Sequence, residues 1–419
     1  MKNTFSLIIW ALVLSLFFSC APSPSKERLK ALNSVSPSDQ DIAFWYQAGP
    51  DEEAVIEELL DEFNISNDYG IKVTGVNKGF HVDLWNSITV SDEKPDIFWF
   101  TADENKGLPG VRDLADLFAL LVHSKWGVPK GDLPTVTETL SKTAGGYLVQ
   151  DEFSEWTIPL IPILYDPCLV YCNLDRLNEL GYTDFPESRD EFRQICEASL
   201  LLDDVKGIIY PPDSRTLLTT AYADGWVPSG ENGESLEEEE TLFSSGNILI
   251  NLHRAGASAP ALKKFEGQME FSGGHFLFSL DAVSGARYYA DSIQASAKPF
   301  QWSVFPFPLE ETGQLGSWDR SGAILSSSPE EELASWIFLK WSLSRDVQAK
   351  LALGSGLIPV NPDVIAMLRT DSTISDVYKD ILKIGGESPI LSFPWKQDTE
   401  LFYRLISEEF LDILANQDN

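Results

Sequence analysis

The chain has 419 residues, with 64 acidic and 31 basic side chains and a formal net charge of −33. At about 100–200 residues per domain, this length predicts two or three lobes with sizeable hydrophobic cores. The acidic excess argues against a protein that binds nucleic acid or an anionic bilayer surface, because both attract basic patches.

The N-terminus has the pattern of an export signal. Lys2 precedes an apolar run over residues 5–18, which has the length of a secretory signal core and is too short to span a membrane. The run ends at Ser19-Cys20, and a small residue before a cysteine resembles the lipobox of bacterial lipoproteins. Residues 1–19 are therefore a predicted signal peptide and Cys20 a predicted lipidation site. Ordinary cleavage near Ser19 is the less favoured alternative, since it would leave an idle thiol.

Residues 20–40 predict the lipidated cysteine and a flexible tether, because they are rich in Ser and Pro and hold few large apolar side chains. Folded structure is expected from Asp41 onward. The remaining cysteines are Cys168, Cys172 and Cys196. Cys168 and Cys172 on one strand would lie about 13 Å apart, beyond disulfide reach, so buried thiols are expected.

The next segment predicts a lobe in which strands and helices alternate. Residues 42–46, 71–73 and 95–100 are predicted strands, and the third is apolar on both faces, as a central parallel strand requires. Helices are predicted from Pro50 and over residues 81–90. In open α/β sheets, the carboxyl ends of the strands border the ligand crevice. The candidate ligand-binding residues at these ends are Tyr46, Gln47, Phe100, Asp103 and Glu104.

Residues 156–173 form an apolar stretch that contains several prolines. Each proline removes a backbone donor, so the stretch cannot lie throughout in the middle of one sheet. It is predicted to leave one sheet and enter another. A short helix that ends at Gly181 and a second helix that begins with the Ser188 and Glu191 capping pair are predicted to follow.

This order of elements resembles the first lobe crossing of extracellular solute-binding proteins of ABC transporters, of the sugar-binding, maltose-binding-protein-like type (family 1). In that family the crossing strand ends in a Tyr-Asn pair, which Tyr171 and Asn173 match with Cys172 inserted between them. Later tracts are similar as well, namely the turn and strand over residues 271–281 and the helices and Pro-Val exit over residues 328–360.

The resemblance implies an α/β fold of the two-lobed periplasmic-binding-protein type (type II-like), with discontinuous lobes joined by three crossing segments. The expected ranges are 41–163 and 307–353 for the N-terminal lobe and 164–303 and 357–419 for the C-terminal lobe. Residues 302–308 and 357–360 are the expected second and third crossings. The resemblance also implies a monomer without a cofactor or metal, which closes on a small polar solute, a sugar or oligosaccharide, and delivers it to the transmembrane subunits of an ABC permease.

Three further residues are candidates for the ligand site. Asp166 lies inside the otherwise apolar crossing, where an unpaired carboxylate would be costly. It either fastens the hinge backbone or accepts hydrogen bonds from ligand hydroxyls, and it matches an acidic ligand-binding position in the oligosaccharide-binding branch of the family. Trp226 and Trp395 are predicted near lobe rims, where a ring can stack on a sugar, with core packing as the competing interpretation.

Other functions compete with sugar binding. The Tyr288-Tyr289 pair is similar to the adjacent tyrosines that ferric-ion-binding proteins of related fold use as phenolate ligands, which hard Fe(III) favours. A surface lipoprotein, such as an adhesin or a sensor, would keep the fold without transport. Common catalytic motifs do not occur in the sequence, so catalysis is unsupported, although a secreted glycosidase needs only two carboxylates.

Overall fold

The computed structural model describes residues 26–79, 84–101, 113–128, 149–150, 156–226, 236–392 and 399–415. Its strands are β1 Asp41–Tyr46, β2 Lys72–Asn77, β3 Ile97–Thr101, β4 Val149–Gln150, β5 Trp156–Thr157, β6 Ile161–Tyr165, β7 Cys168–Asn173, β8 Lys206–Tyr210, β9 Ser258–Pro260, β10 Phe276–Ala282, β11 Trp302–Phe305, β12 Leu315–Ser317, β13 Arg320–Ile324, β14 Ile358–Pro359 and β15 Ile390–Ser392. Its α-helices are α1 Lys26–Leu32, α2 Pro50–Ser66, α3 Leu84–Val90, α4 Leu117–Val122, α5 Leu174–Glu179, α6 Arg189–Ala198, α7 Ser214–Ala223, α8 Leu236–Arg254, α9 Glu266–Ser272, α10 Ala286–Ala295, α11 Pro329–Ser342, α12 Arg345–Ser355, α13 Pro362–Arg369, α14 Asp376–Glu387 and α15 Thr399–Ala415.

The first sheet has the strand order β14-β6-β13-β3-β1-β2. β1 is parallel to β2 and β3, whereas β13 runs antiparallel to β3 and β6. Phe44 of β1 and Phe63 of α2 pack against Phe338 of α11, with ring centroids 5.2 and 5.0 Å from that of Phe338. The predicted alternation of strands and helices in the first lobe is confirmed.

The second sheet has the strand order β11-β7-β10-β8-β9. β7 is antiparallel to β10 and β11, and β8 is parallel to β9 and β10. Cys168, Cys172 and Cys196 are buried in the core of this lobe as free thiols, as predicted. Burial raises the pKa of all three thiols, so these cysteines are unreactive packing residues.

β6 and β7 join the two sheets directly, with Asp166 and Pro167 between them. The predicted first crossing and the two-lobed α/β fold are therefore confirmed. The segment predicted as the second crossing, residues 302–308, begins as a strand of the second sheet. Residues 302–305 form β11 and pair with β7, so the crossing comes after them. Its apolar residues alternate between two cores, with Val304 in one and Phe305 in the other. A strand buried on both faces gives the same apolar pattern as a crossing segment.

The third predicted crossing also begins later in the chain than expected. β14 pairs with β6, so residues 358–359 still belong to the first sheet. The following helices span the two lobes, since α13 packs on α12 and α14 packs on β11. The exact residue ranges of the lobes stay a prediction.

The predicted tether contains a packed element. α1 contacts α4 and α11, and Leu32 and Val35 are buried. The indole Nε1–H of Trp126 donates a hydrogen bond to the carbonyl oxygen of Leu32 at 3.0 Å. From α1 onward the chain is therefore attached to the first lobe, while residues 20–25 lie outside the described residues.

Candidate functional site

The end of β6 and the start of β7 bring two sheet edges together. In the first sheet β6 runs in the same direction as β1 and β3, because β6 and β3 are both antiparallel to β13. In the second sheet the start of β7 lies beside the end of β10, where Cys168 pairs with Ala282. The carboxyl ends of β1, β3, β8 and β10 therefore converge on the crossing, and the cleft between them is the candidate site.

A hydrogen-bond network around Asp319 fastens the base of this cleft. The hydroxyls of Ser317 and Ser392 donate to its two carboxylate oxygens, the former at 2.6 Å. The backbone N–H of Asp166 donates to Ser317 Oγ at 3.0 Å, and Pro167 forms an antiparallel bridge with Ser317. β12 and β15 pair in a small parallel sheet at the same place. Chain segments from three parts of the sequence are thus fixed at one point between the lobes.

Asp166 is buried at this junction. Its carboxylate accepts a hydrogen bond from the backbone N–H of Ser284 at 2.8 Å, in the 3₁₀ turn that follows β10. Burial raises the pKa of Asp166 to about 6, and the Ser284 hydrogen bond and the Arg215 charge oppose that shift only in part. This contact agrees with one of the two roles predicted for Asp166, a hydrogen bond to the hinge backbone. A contact with a ligand stays a prediction.

An ion pair that the sequence did not predict lies at the edge of the first sheet that faces the cleft. Arg320, the first residue of β13, pairs with Glu52 in the first turn of α2, and both side chains are buried. Burial lowers the pKa of Arg320 to about 10. In the sequence, Glu52 is one of three consecutive acidic residues at a helix start, which are usually solvated. No signal in the sequence distinguishes it from Asp51 and Glu53, because its burial depends on a distant strand.

Comparison with known proteins identifies the family. A model of the family described as bacterial extracellular solute-binding protein matches residues 58–380, which is most of the chain. The chain belongs to this family. No curated protein sequence matches this solute-binding protein. The family is extracellular, which places the protein outside the cytoplasm. Among the helices that the structure describes, none is both long and apolar enough to cross a membrane.

Solved structures share the two-lobed fold of this solute-binding protein. The cyclic α-maltosyl-1,6-maltose binding protein from Arthrobacter globiformis superposes with a TM-score of 0.69 at 16% identity, covering 90% of this chain and 94% of that chain. The sugar-binding protein MalE from Xanthomonas citri has a TM-score of 0.68 at 18% identity, with 90% and 92% covered. The GacH receptor of Streptomyces glaucescens has a TM-score of 0.66 at 17% identity, with 90% and 94% covered.

Tyr46 lies at the end of β1, as the sequence predicted, and its side chain is buried in the first lobe of the solute-binding protein. Its ring stacks on Phe44 with centroids 5.1 Å apart. Burial, followed by the charges of Glu53 and Glu57, raises the pKa of Tyr46 to about 12. In this conformation the lobe itself holds the phenol, and a ligand contact stays a prediction.

Gln47 and Phe100 are also placed at strand ends and are also buried. The side-chain amide of Gln47 donates to the carbonyl oxygen of Gly79 at 3.3 Å, which ties the loop after β1 to the end of β2. The Phe100 ring lies 5.4 Å from that of Phe98 in a small apolar cluster on the α3 side of the sheet. Their observed contacts are within the lobe.

The two tyrosines of the competing iron-binding hypothesis lie in different environments. Tyr289 is 1% exposed, its hydroxyl donates to Asp281 Oδ2 at 3.1 Å, and its ring stacks on Tyr171 with centroids 4.2 Å apart. Tyr288 is 54% exposed. Successive residues of a helix point about 100° apart, so the two phenols do not face one metal position. Within the described residues, no group of three or more His, Cys, Asp or Glu could hold a metal ion.

Trp226 is half-buried and packs against the second-lobe core, with its ring 5.6 Å from that of Tyr222 in an edge-on arrangement. The core-packing interpretation therefore describes its present contacts. The remaining candidates, Asp103, Glu104 and Trp395, and the predicted lipidation site Cys20 lie outside the described residues.

Proposed function

We propose that this solute-binding protein captures a sugar or oligosaccharide in the cleft between its lobes and delivers it to the transmembrane subunits of an ABC importer. The observation that carries the proposal is the convergence of the carboxyl ends of both sheets on the Asp166-Pro167 crossing. Loops at these ends come from two lobes, so a ligand that contacts both favours the closed arrangement.

The proposal of a carbohydrate ligand is supported by the solved structures of similar fold. Their descriptions name a cyclic maltosyl-maltose binding protein, a receptor in complex with acarbose and a sugar-binding protein. Their identity to this chain is 16–18%, so the support comes from shared architecture. The Tyr288 side chain is exposed whereas that of Tyr289 is buried, and this difference argues against the ferric-ion alternative.

The proposal includes a lipid anchor at Cys20 and no catalytic step. The anchor is motivated by the apolar run that ends at Ser19-Cys20. Mass spectrometry of the protein from its native host is expected to show an N-terminal Cys20 that carries acyl chains, and an unmodified N-terminus elsewhere would contradict the anchor. Incubation with bound glycan should leave it intact, whereas release of reducing ends would indicate a hydrolase.

A thermal-shift screen tests the ligand class. Sugars, oligosaccharides, amino acids, polyamines and Fe(III) are added separately, and a ligand that binds only the folded state raises its melting temperature. An oligosaccharide is expected to give the largest increase. An increase with Fe(III) alone, accompanied by a coloured preparation, would overturn the carbohydrate proposal.

Variants then test the site in calorimetry with the sugar that the screen identifies. Asp166→Ala is expected to weaken binding by about one to two decades, because a hydrogen bond to a charged group contributes roughly 1.5–3 kcal/mol. Tyr288→Phe removes an exposed hydroxyl and serves as the control, which should leave sugar affinity unchanged. Equal affinity of Asp166→Ala and the unmodified protein would remove Asp166 from the ligand site.

A further inference from the structure

A single arginine of the second lobe contacts two separate elements of the first lobe. Arg287 lies in the first turn of α10, between β10 and β11 of the second sheet. Its guanidinium pairs with the carboxylate of Asp51 at the start of α2 and also donates to the carbonyl oxygen of Gly354 in α12 at 3.4 Å. Both acceptors belong to elements that pack on the first sheet, so the contacts cross from one lobe to the other.

The two acceptors are held together by tight packing within the first lobe. A Cβ atom at Gly354 would lie 2.8 Å from Val55 Cγ2 of α2, which means that glycine is what allows α12 to approach this closely. Lys350 of α12 adds ion pairs to Glu58 and Glu62 of α2, at 3.0 and 2.8 Å. The Asp51 carboxylate and the Gly354 carbonyl are therefore presented as a fixed pair.

The donor is fixed equally well within the second lobe. Arg287 lies two residues after the 3₁₀ turn whose Ser284 N–H donates to the Asp166 carboxylate. The side chain of Gln268 in α9 donates to the carbonyl oxygen of Tyr288 and to Ser292 Oγ, which ties α10 to its neighbouring helix. A change in the angle between the lobes therefore moves Arg287 relative to both acceptors.

The side chains of Arg287 and Asp51 are 45% and 73% exposed, so the pair is solvated and adds little to the stability of either lobe. A weak contact matters more when it exists in only one of two states of similar energy. An interaction that is made in only one of the two states changes the free-energy difference between them by its own full free energy.

We propose that Arg287 is an interlobe latch, whose contacts with Asp51 and Gly354 favour the approach of the lobes seen in this structure and bias the hinge toward it before ligand binds. The latch rests on the proposed hinge closure. It is electrostatic and solvated, so concentrated salt weakens it: the screening length falls from about 8 Å at 0.15 M ionic strength to about 3 Å at 1 M.

The test measures the distance between the lobes without any ligand. Spin labels are placed on Cys introduced at Val90 and Leu201, which are 78% and 83% exposed and lie in different lobes. The three cysteines of the described residues are buried and do not compete for the label, and Cys20 is replaced by Ser so that only the introduced thiols react. Arg287→Ala is expected to shift the label distances toward the more separated population, increasing its ratio to the closed one by roughly two- to five-fold. In unmodified protein 1 M NaCl should produce the same shift, and in Arg287→Ala it should produce no further change.

Lys350→Ala is the matched control, because it removes a similarly exposed cation whose ion pairs lie within one lobe. It should leave the distances unchanged. The exchange Asp51→Arg with Arg287→Asp should recover part of the closed population. Identical distances in the unmodified protein and Arg287→Ala would overturn the latch. A shift in Arg287→Ala together with no sugar binding in the thermal-shift screen would keep the latch and overturn the sugar proposal, so the two failures are distinguishable.

Discussion

Ser392 donates a hydrogen bond to the carboxylate of Asp319, and both residues are buried. Ser392 belongs to β15 and Asp319 follows β12, the two strands that pair at the base of the cleft. The same carboxylate accepts a hydrogen bond from Ser317, whose hydroxyl receives the backbone N–H of Asp166. One buried carboxylate therefore connects the segments about which the lobes would rotate.

Asp319→Ala is predicted to destabilise the protein by roughly 2–4 kcal/mol, because two buried serine hydroxyls lose their acceptor and an unsatisfied buried group costs about 1–3 kcal/mol. Urea unfolding measures the loss. Asp319→Asn keeps one oxygen acceptor and should cost less. If both variants unfold at the same urea concentration as the unmodified protein, the network does not stabilise the hinge.

The raised pKa of Asp166, about 6 against 3.8 in the unfolded chain, predicts a pH-dependent stability. Because the folded state binds this proton more tightly, the Asp166 contribution is fully present below about pH 4 and is lost as the pH rises through 6. Asp166→Asn keeps an acceptor for Ser284 and removes the charge. It should match the unmodified protein near pH 4 and exceed its stability above pH 6 by up to about 3 kcal/mol.

Unfolding curves at several pH values between 4 and 8 check this prediction, with the difference between the two proteins as the quantity of interest. Taking the difference cancels the contribution of a buried carboxylate that does not interact with Asp166, such as Asp96, whose pKa is also raised by burial. A difference that stays constant across this range would show that Asp166 does not titrate there.

The buried pair of Arg320 and Glu52 predicts a strong asymmetry between single and double variants. Glu52→Gln leaves the Arg320 guanidinium buried without its counter-charge, which should cost about 3–5 kcal/mol. Arg320→Met leaves the Glu52 carboxylate buried without its counter-charge and should cost a similar amount. The double variant Glu52→Met with Arg320→Met should recover most of the loss, because no uncompensated charge remains. Additive losses in denaturant unfolding would indicate that the two side chains do not interact.

Local signals in the sequence were sufficient for much of the secondary structure. Ser328 and Glu331 form the complete capping box at the start of α11, with Pro329 in its first turn. Gly356 ends α12 in a left-handed conformation with a φ of 76°. Such signals depend on residues within about four positions of each other, so they can be read from the sequence without knowledge of the fold.

The folded structure was needed to show which side chains are available at the cleft. The sequence placed Tyr46 and Gln47 correctly at the end of β1, yet it could not show that both are buried there. It likewise gave no sign that α1 would pack on the first lobe through Leu32 and Trp126. Burial depends on elements that arrive from elsewhere in the chain, whereas strand position depends on the strand itself.

Many of the strands, several capped helices and the first apolar crossing follow from local periodicity and backbone chemistry, so they can be predicted from the sequence. The tertiary structure decided the partners of the buried charges: Arg320 with Glu52, and Ser392 with Asp319. A charged residue gives no local indication of its distant partner, so its pairing appears only when the folded chain has brought distant segments together.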